Sequence, residues 1–254
     1  IISSADIIFH LDYNAYSRAG SLEQSLRESN AVKVMIDHHQ QPEDWPDYIY
    51  SDVSMSSTSQ MIYEFADMHG WLDHLNKDAA DCLYTGIVTD TGSFRFSSTS
   101  ARTLSIAAHL MNLGVVPNEI YNYVFDNNSI SRLRLLGAML DNMEYLSEYN
   151  AVILYLNKED QQKHNYSRGD SEGFVNYGLS IGGVKVSIFL REDKEVVKVS
   201  LRSKGEIDVN SFARANFNGG GHVNAAGGIL NMSMSDAIIH TQKVIANNKP
   251  LFTE

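Results

Sequence analysis

Three places in the sequence put carboxylate or imidazole groups where an apolar segment gives out. They are Asp12 after ADIIFHL, Asp37, His38 and His39 after VKVMI, and Asp90 after CLYTGIV. Carboxylate oxygen with imidazole nitrogen suits Mn2+, Fe2+, Zn2+ or Co2+ better than Ca2+, which favours all-oxygen cages. A single strand-end Asp reads more plainly as a turn cap. Two carboxylates and an imidazole gathered at one edge would supply most of a metal site. Further along, NGGGH sets Gly219, Gly220 and Gly221 before His222, so that backbone N–H groups can approach an anion while the imidazole adds a donor. The plainer reading of that stretch is a glycine-rich turn from helix to strand. Arg202, closing VVKVSLR, offers a planar guanidinium able to bind two phosphate oxygens at once. Arg191 reads as its hairpin neighbour with a solvated charge, and Arg95 as a partner for an acid.

The elements that must position these groups follow from periodicity. ADIIFHLD (5–12) and AVKVMIDHH (31–39) are near-continuous apolar runs ending in polar residues, as buried parallel strands are. Helical patterns separate and follow them. Leu22 and Leu26 mark one, and Met61, Ile62, Phe65 and Met68 a second behind the Ser/Thr-rich cap SMSSTS. Ala80, Leu83, Tyr84, Ile87 and Val88 form a third stripe, and a fourth helix runs from a Ser100 cap to Gly114. Strands alternating with helices predict an α/β domain with a mostly parallel sheet, and ligands in such sheets lie beyond the carboxyl ends of the strands.

From Pro117 the pattern is helical, with Ile130, Leu133, Leu136, Leu140 and Met143 as the apolar stripe behind Ser129. NAVILYLN then opens a second, smaller α+β domain, in which GVKVSIFLREDKEVVKVSLRS reads as a hairpin turning at EDKE and MSDAIIHTQKVIANN as a helix capped near Ser233 or Ser235. The expected division is 1–116, a helical connector over 117–149, and 150–254.

Composition narrows the function. A hydrophobic fraction of 43% and a charged fraction of 20% describe a folding globular chain. The net charge of −11 disfavours long duplex nucleic acid, whose binding rests on many cationic contacts, but leaves room for small anions. No apolar run reaches the roughly 18 residues of a membrane span, so no membrane partner and a cytoplasmic location are expected. The single Cys82 has no metal-type spacing and reads as packing. His109 and His240 fall within helices and read as structural.

MIDHH resembles the signature of the DHH phosphoesterase superfamily, and LDYN (11–14) and TDTGSFRF (89–96) match further motifs of that family in order. GGGHVNAAGG (219–228) is similar to the glycine-rich motif of the accompanying DHHA1 domain, and GDSEGFVNY (169–177) to a stretch typical of the nanoRNases that also hydrolyse 3′-phosphoadenosine 5′-phosphate. The resemblance covers nearly the whole chain. It implies a DHH domain over 1–116, the connector, and a DHHA1 substrate domain over 150–254, with the site in the cleft between them.

The resemblance further implies two Mn2+ ions. Asp12 would bridge them, His38 and Asp90 would ligate one, Asp37 would orient the imidazole, and His39 would face the scissile phosphate. Gly219, Gly220, Gly221 and His222, with Arg202 as a further candidate, would hold the substrate's terminal phosphate. The implied activity is metal-dependent hydrolysis of short oligoribonucleotides, or of the nucleotide bisphosphate to AMP, by a chain that can form a homodimer. The family's earlier motif, a His and two Asp residues, has no counterpart before Asp12, and the chain opens on Ile1. The expectation is therefore that upstream sequence is missing. Alternatives are a cyclic- or linear-dinucleotide phosphodiesterase, an inorganic pyrophosphatase, or a nucleotide-binding module without turnover.

Overall fold

The computed structural model describes residues 1–253, which divide after Asn127 into two compact units. In the first unit β1 (Ile7–Leu11) is followed by α1 (Glu23–Glu28), β2 (Val32–Asp37) and β3 (Tyr48–Ser51). The three strands form one parallel sheet in the order β1-β2-β3, with Leu11 opposite Ile36 and Asp37 opposite Ser51. Their carboxyl ends therefore line up at one edge. Met35 and Ile36 are buried, as an interior parallel strand requires. The outer strand departs from expectation. On β1 the buried residue is His10, while Ile7, Phe9 and Leu11 alternate to solvent, because β1 is an edge strand and that face has no covering layer among the described residues.

Helices α2 (Thr58–Met68), α3 (Lys77–Asp90), α4 (Ala101–Asn112) and α5 (Pro117–Val124) complete the unit. Each of the first three starts has a local cause. Ser57 and Asn76 accept from the third backbone N–H of α2 and α3, and Ser100 forms a reciprocal capping box with Thr103. The predicted α3 stripe of Ala80, Leu83, Tyr84, Ile87 and Val88 is the buried face, packed on Ile106, Ala107 and Leu110 of α4. Cys82 lies off that stripe and is exposed, so it does not serve packing.

The stretch read as a connector is shared between the units. Ile120 and Tyr121 of α5 pack on the first core, and α6 (Ile130–Asp141) packs in the second. Its buried residues are Leu135 and Met139, and of the expected stripe Leu136 packs on the same core, whereas Ile130, Leu133, Leu140 and Met143 are solvent-exposed. Several apolar rows compete on this helix, and the one facing the sheet is not the longest. The second unit continues with β4 (Glu144–Leu146), β5 (Ala151–Leu156), α7 (Lys158–Lys163), α8 (Val175–Gly178), β6 (Val186–Asp193), β7 (Val196–Ser203), α9 (Val209–Asn216), β8 (Gly220–His222), β9 (Ala225–Leu230), α10 (Met234–Asn247) and α11 (Lys249–Thr253). Its mixed sheet runs β4-β5-β6-β7-β9-β8. Alternation on β5 sends Ala151 and Ile153 to a core with α9 and α10, and Val152, Leu154 and Leu156 to a core with α6 and Phe174. From β7 onward the second of these faces carries Ser200 and Arg202, with Val197, Val199 and Leu201 on the first.

The GDSEGFVNY stretch has a structural explanation. The Arg132 guanidinium donates to the carbonyls of Gly169, Asp170 and Glu172 and to Asn128 Oδ1, and lies over the Phe174 ring. The loop is wrapped around one cation. Lysine, a point charge, cannot bridge the same set. Arg132→Lys should accordingly lower stability by about 2 kcal/mol and speed tryptic cutting at Arg168 within the loop, as followed by urea unfolding and limited proteolysis.

Candidate metal centre and anion grip

Asp12, His38 and Asp90 come from three separate elements. Asp12 follows β1, His38 follows β2, and Asp90 is the last residue of α3. The structure brings one donor atom from each to within 4.8 Å of the others, and His38 Nε2 lies 3.7 Å from Asp12 Oδ1 and 3.7 Å from Asp90 Oδ2. Those separations exceed a hydrogen bond. They are short enough for one ion with bonds of about 2.1 Å to reach both partners. The Asp90 carboxyl is held above the usual carboxylate range, foremost by desolvation, with the imidazole charges opposing and the Asp12 charge adding to it. Clustered carboxylates with an imidazole fit a divalent ion of the N/O-binding class.

The support behind each donor is specific. His38 Nδ1 sits 3.2 Å from Met55 O. A carbonyl can only accept, so the proton belongs on Nδ1 and the Nε2 lone pair faces the carboxylates. Asp12 adopts a left-handed φ of 65°, its N–H bonds to Ile36 O, and its Oδ1 accepts from Thr58 Oγ1 at 2.8 Å. Gly92, Ser93 and Phe94 behind Asp90 are all left-handed, and the loop folds back on Thr91, whose carbonyl accepts from the Arg95 and Phe96 N–H groups. Arg95 itself bonds the Gly92 carbonyl and not an acid. Asn14, nearly buried, donates to His39 O and Gln40 O and ties the LDYN turn to the DHH turn.

Asp37 is fully buried and takes a different imidazole from the one expected. Its Oδ1 meets His39 Nδ1 at 2.6 Å and its Oδ2 accepts the His39 N–H at 2.9 Å, so it is His39 that this carboxylate orients. The reason is reach. A buried side chain at the end of β2 bonds the residue two positions on as the chain turns, while His38 points toward Met55. Burial raises the Asp37 carboxyl, but the hydrogen bonds and charge of His39 outweigh it, and the group lies below the usual range.

In the second unit, Gly220–His222 is not an open loop but the short strand β8, closing a hairpin on β9. A Cβ on Gly219 would overlap the Gly227 carbonyl, and one on Gly221 would overlap the Ala225 carbonyl. Close strand approach therefore accounts for these two glycines. The Gly221 N–H donates to Asn210 Oδ1 at 2.8 Å, and Arg214 Nε bonds the same oxygen at 3.1 Å. Arg202 and His222 are both opposite Ala225 in the register, so the three project from one face with the smallest in the middle. Desolvation lowers the Arg202 pKa, and its Nη1 donates to Leu201 O. Arg191 pairs with Lys198 in register and not with Arg202. It is largely covered, bonded to Asp193 and set over the Tyr166 ring. His109 and His240 are held by Tyr63 Oη and Asn216 O.

Met55, Thr58, Asn14, Asn210 and Arg214 are the residues that motif reading missed. Asn14 lay within a quoted motif and Thr58 within the SMSSTS run. Met55 acts through its backbone, which leaves no mark on residue type.

Residues 1–87 match the DHH family, N-terminal domain, and residues 148–246 match the DHHA1 domain. The crystal structure of an exopolyphosphatase-related protein from Bacteroides fragilis superposes with a TM-score of 0.96 at 41% identity, covering 100% of this chain and 74% of that one. The bifunctional oligoribonuclease and PAP phosphatase NrnA of Bacillus subtilis (strain 168) is 34% identical over 202 residues, which are 78% of this chain and 63% of that protein. The chain thus spans about three fifths of that curated relative's length. RecJ in complex with Mn2+ from Thermus thermophilus shares the fold, with a TM-score of 0.51 at 14% identity, over 97% of this chain and 45% of that one. No helix among the described residues is long and apolar enough to cross a membrane.

The glycine geometry makes a direct prediction. Gly219→Ala should force β8 away from β9 and destabilise the second unit by about 1–3 kcal/mol, the usual range for overpacking. Hydrogen exchange should show the loss first at Ala225–Leu230.

Proposed function

Because this chain belongs to the DHH family and carries a DHHA1 domain behind its DHH domain, we propose that it is a divalent-metal-dependent phosphohydrolase. Its substrates in this reading are short oligoribonucleotides, degraded from an end, and 3′-phosphoadenosine 5′-phosphate, converted to AMP. The observation that carries the reading is the convergence of Asp12, His38 and Asp90, with His38 Nε2 3.7 Å from each carboxylate. The oligoribonuclease and PAP phosphatase activities for which the Bacillus relative is named support the substrate class.

These three groups would hold a divalent ion, Mn2+ by preference, which would lower the pKa of a water molecule toward neutrality and balance charge on the phosphoryl oxygens. The remaining roles fall to the chain. His38 gives its Nδ1 proton to the Met55 carbonyl, which leaves Nε2 facing the Asp12 and Asp90 carboxylates. His39 is held by Asp37 through Nδ1, so its proton chemistry passes through Nε2. Asp37 fixes the orientation of that ring, so that a proton on Nε2 can be given to the leaving oxygen. In the second unit Arg202 and His222 share one face of the sheet across Ala225 and together bind the substrate's terminal phosphate.

The acidic net charge of −11 fits substrates of a few nucleotides better than long strands, which need many cationic contacts.

Hydrolysis by full-length protein with Mn2+ tests the proposal, comparing RNA dinucleotides, 3′-phosphoadenosine 5′-phosphate, cyclic dinucleotides and pyrophosphate. His38→Ala and Asp90→Asn should lower turnover on the first two by about a hundredfold or more. Turnover unaffected by both changes would overturn the metal assignment, and exclusive turnover of cyclic dinucleotides would overturn the substrate class. Asp37→Asn should lower kcat with little change in KM, since it alters the His39 proton and not phosphate binding; steady-state kinetics on the dinucleotide separate the two.

A further inference from the structure

The segment entering α2, Ser54–Ser59, reads in sequence as a helix cap and nothing more. Ser57 fulfils that role, accepting from Gln60 N. The residues on either side do something else. Met55 offers its carbonyl to His38 Nδ1, and Thr58 donates its hydroxyl to Asp12 Oδ1 at 2.8 Å. Two of the three candidate ligands are thus held by one short stretch of chain, forty-six residues from one and seventeen from the other.

That stretch is itself fixed from behind. Ser56, Ser57, Thr58 and Gln60 are all buried. Ser56 Oγ and Thr103 Oγ1 both donate to Gln60 Oε1, at 2.6 and 2.9 Å, which locks the start of α2 to the start of α4. On the α3 side, Gly86 lets Ser59 come so close that a Cβ there would overlap the Ser59 hydroxyl. Since α3 ends at Asp90, the helix carrying the third ligand is packed against the element that holds the other two.

The geometry points to Thr58 as a positioning residue for the metal centre. This rests on the metal-centre reading above and adds a residue to it. Asp12 follows a strand in a left-handed conformation that an aspartate adopts at a cost, and more than half of its side chain is exposed. Left to itself, such a carboxylate would rotate freely about its side-chain torsions. The Thr58 hydroxyl occupies Oδ1 and so fixes the plane of the group and the direction of the remaining lone pairs. A ligating carboxylate with a hydrogen-bonded outer partner binds its ion in a prepared orientation, and loss of such a partner commonly costs about ten- to a hundredfold in metal affinity. A hydroxyl serves better than an ammonium here because it restrains the carboxylate without cancelling its charge.

The test is Mn2+ binding, read by the free-ion signal in electron paramagnetic resonance, on the full chain with Thr58→Val, Thr58→Ala and Thr58→Ser. Thr58→Ser keeps the hydroxyl and should retain affinity near that of the unsubstituted protein. Thr58→Ala and Thr58→Val should weaken it by about tenfold or more, with the bound-ion spectrum altered in both. Thermal melts by circular dichroism establish that each variant is folded. Should Thr58→Val not fold, the serine and alanine variants, which differ by the hydroxyl alone, decide the matter. Equal Mn2+ affinity in folded Ser and Ala variants would overturn the role of Thr58 while leaving the metal centre intact. Failure of the unsubstituted protein to bind Mn2+ would overturn the metal-centre reading and this role together.

Discussion

Two carboxylates repel one another, and here they are held with an imidazole so that one donor atom of each lies within 4.8 Å of the others. The nearby elements of the first unit can be understood as what such a cluster requires. Parallel pairing brings the ends of β1 and β2 level, so Asp12 and the DHH turn emerge side by side. The left-handed turn at Asp12 and the folded-back loop after Asp90 hold backbone conformations that cost on the order of 1 kcal/mol or more each. A chain accepts such costs where surrounding structure over-determines the geometry, as the buried Ser56–Gln60–Thr103 network does here.

The two adjacent histidines look alike in sequence and are made different by their partners. His38 meets a backbone carbonyl, which can only accept and so selects the tautomer with Nε2 open to a cation. His39 meets the buried Asp37 carboxylate through Nδ1, which fixes the orientation of its ring. In the proposed reading one ring serves as a ligand and its neighbour as a proton donor. The difference arises from chain direction at the end of β2, where successive side chains leave on opposite sides.

The second unit solves a separate problem by burying one sheet on two cores over β5 and β6, while β7, β9 and β8 keep one face for Arg202 and His222. The glycines between them serve strand packing as much as ligand approach. With Gly221 N–H bonded to Asn210, an anion at this face in the proposed reading meets side chains more than a cradle of backbone amides.

Local pattern alone identified the parallel strands VKVMI and ADIIFHL, the α3 stripe, the Ser100 cap and the β6–β7 hairpin, and narrowed the α10 cap to Ser233 or Ser235, because each depends on residues close in sequence. The family motifs carried the candidate ligands and the candidate anion-binding residues for a similar reason, since their residue types are those the chemistry needs. Sequence misplaced what depends on distant partners. The AAGGIL stretch has too little side chain to signal a strand, yet it forms β9 because β7 and β8 close on either side of it. The α6 stripe was assigned to the wrong row because only the sheet beneath decides which apolar row is covered. The resemblance implies that Asp37 orients the His38 imidazole, whereas the turn pairs it with His39. Thr58 and Met55 reach their partners across tens of residues, through a hydroxyl that also reads as a helix cap and a carbonyl that every residue carries. The kinds of donor atoms were thus written in the sequence, and only the tertiary structure decided which atom of each was turned toward the others.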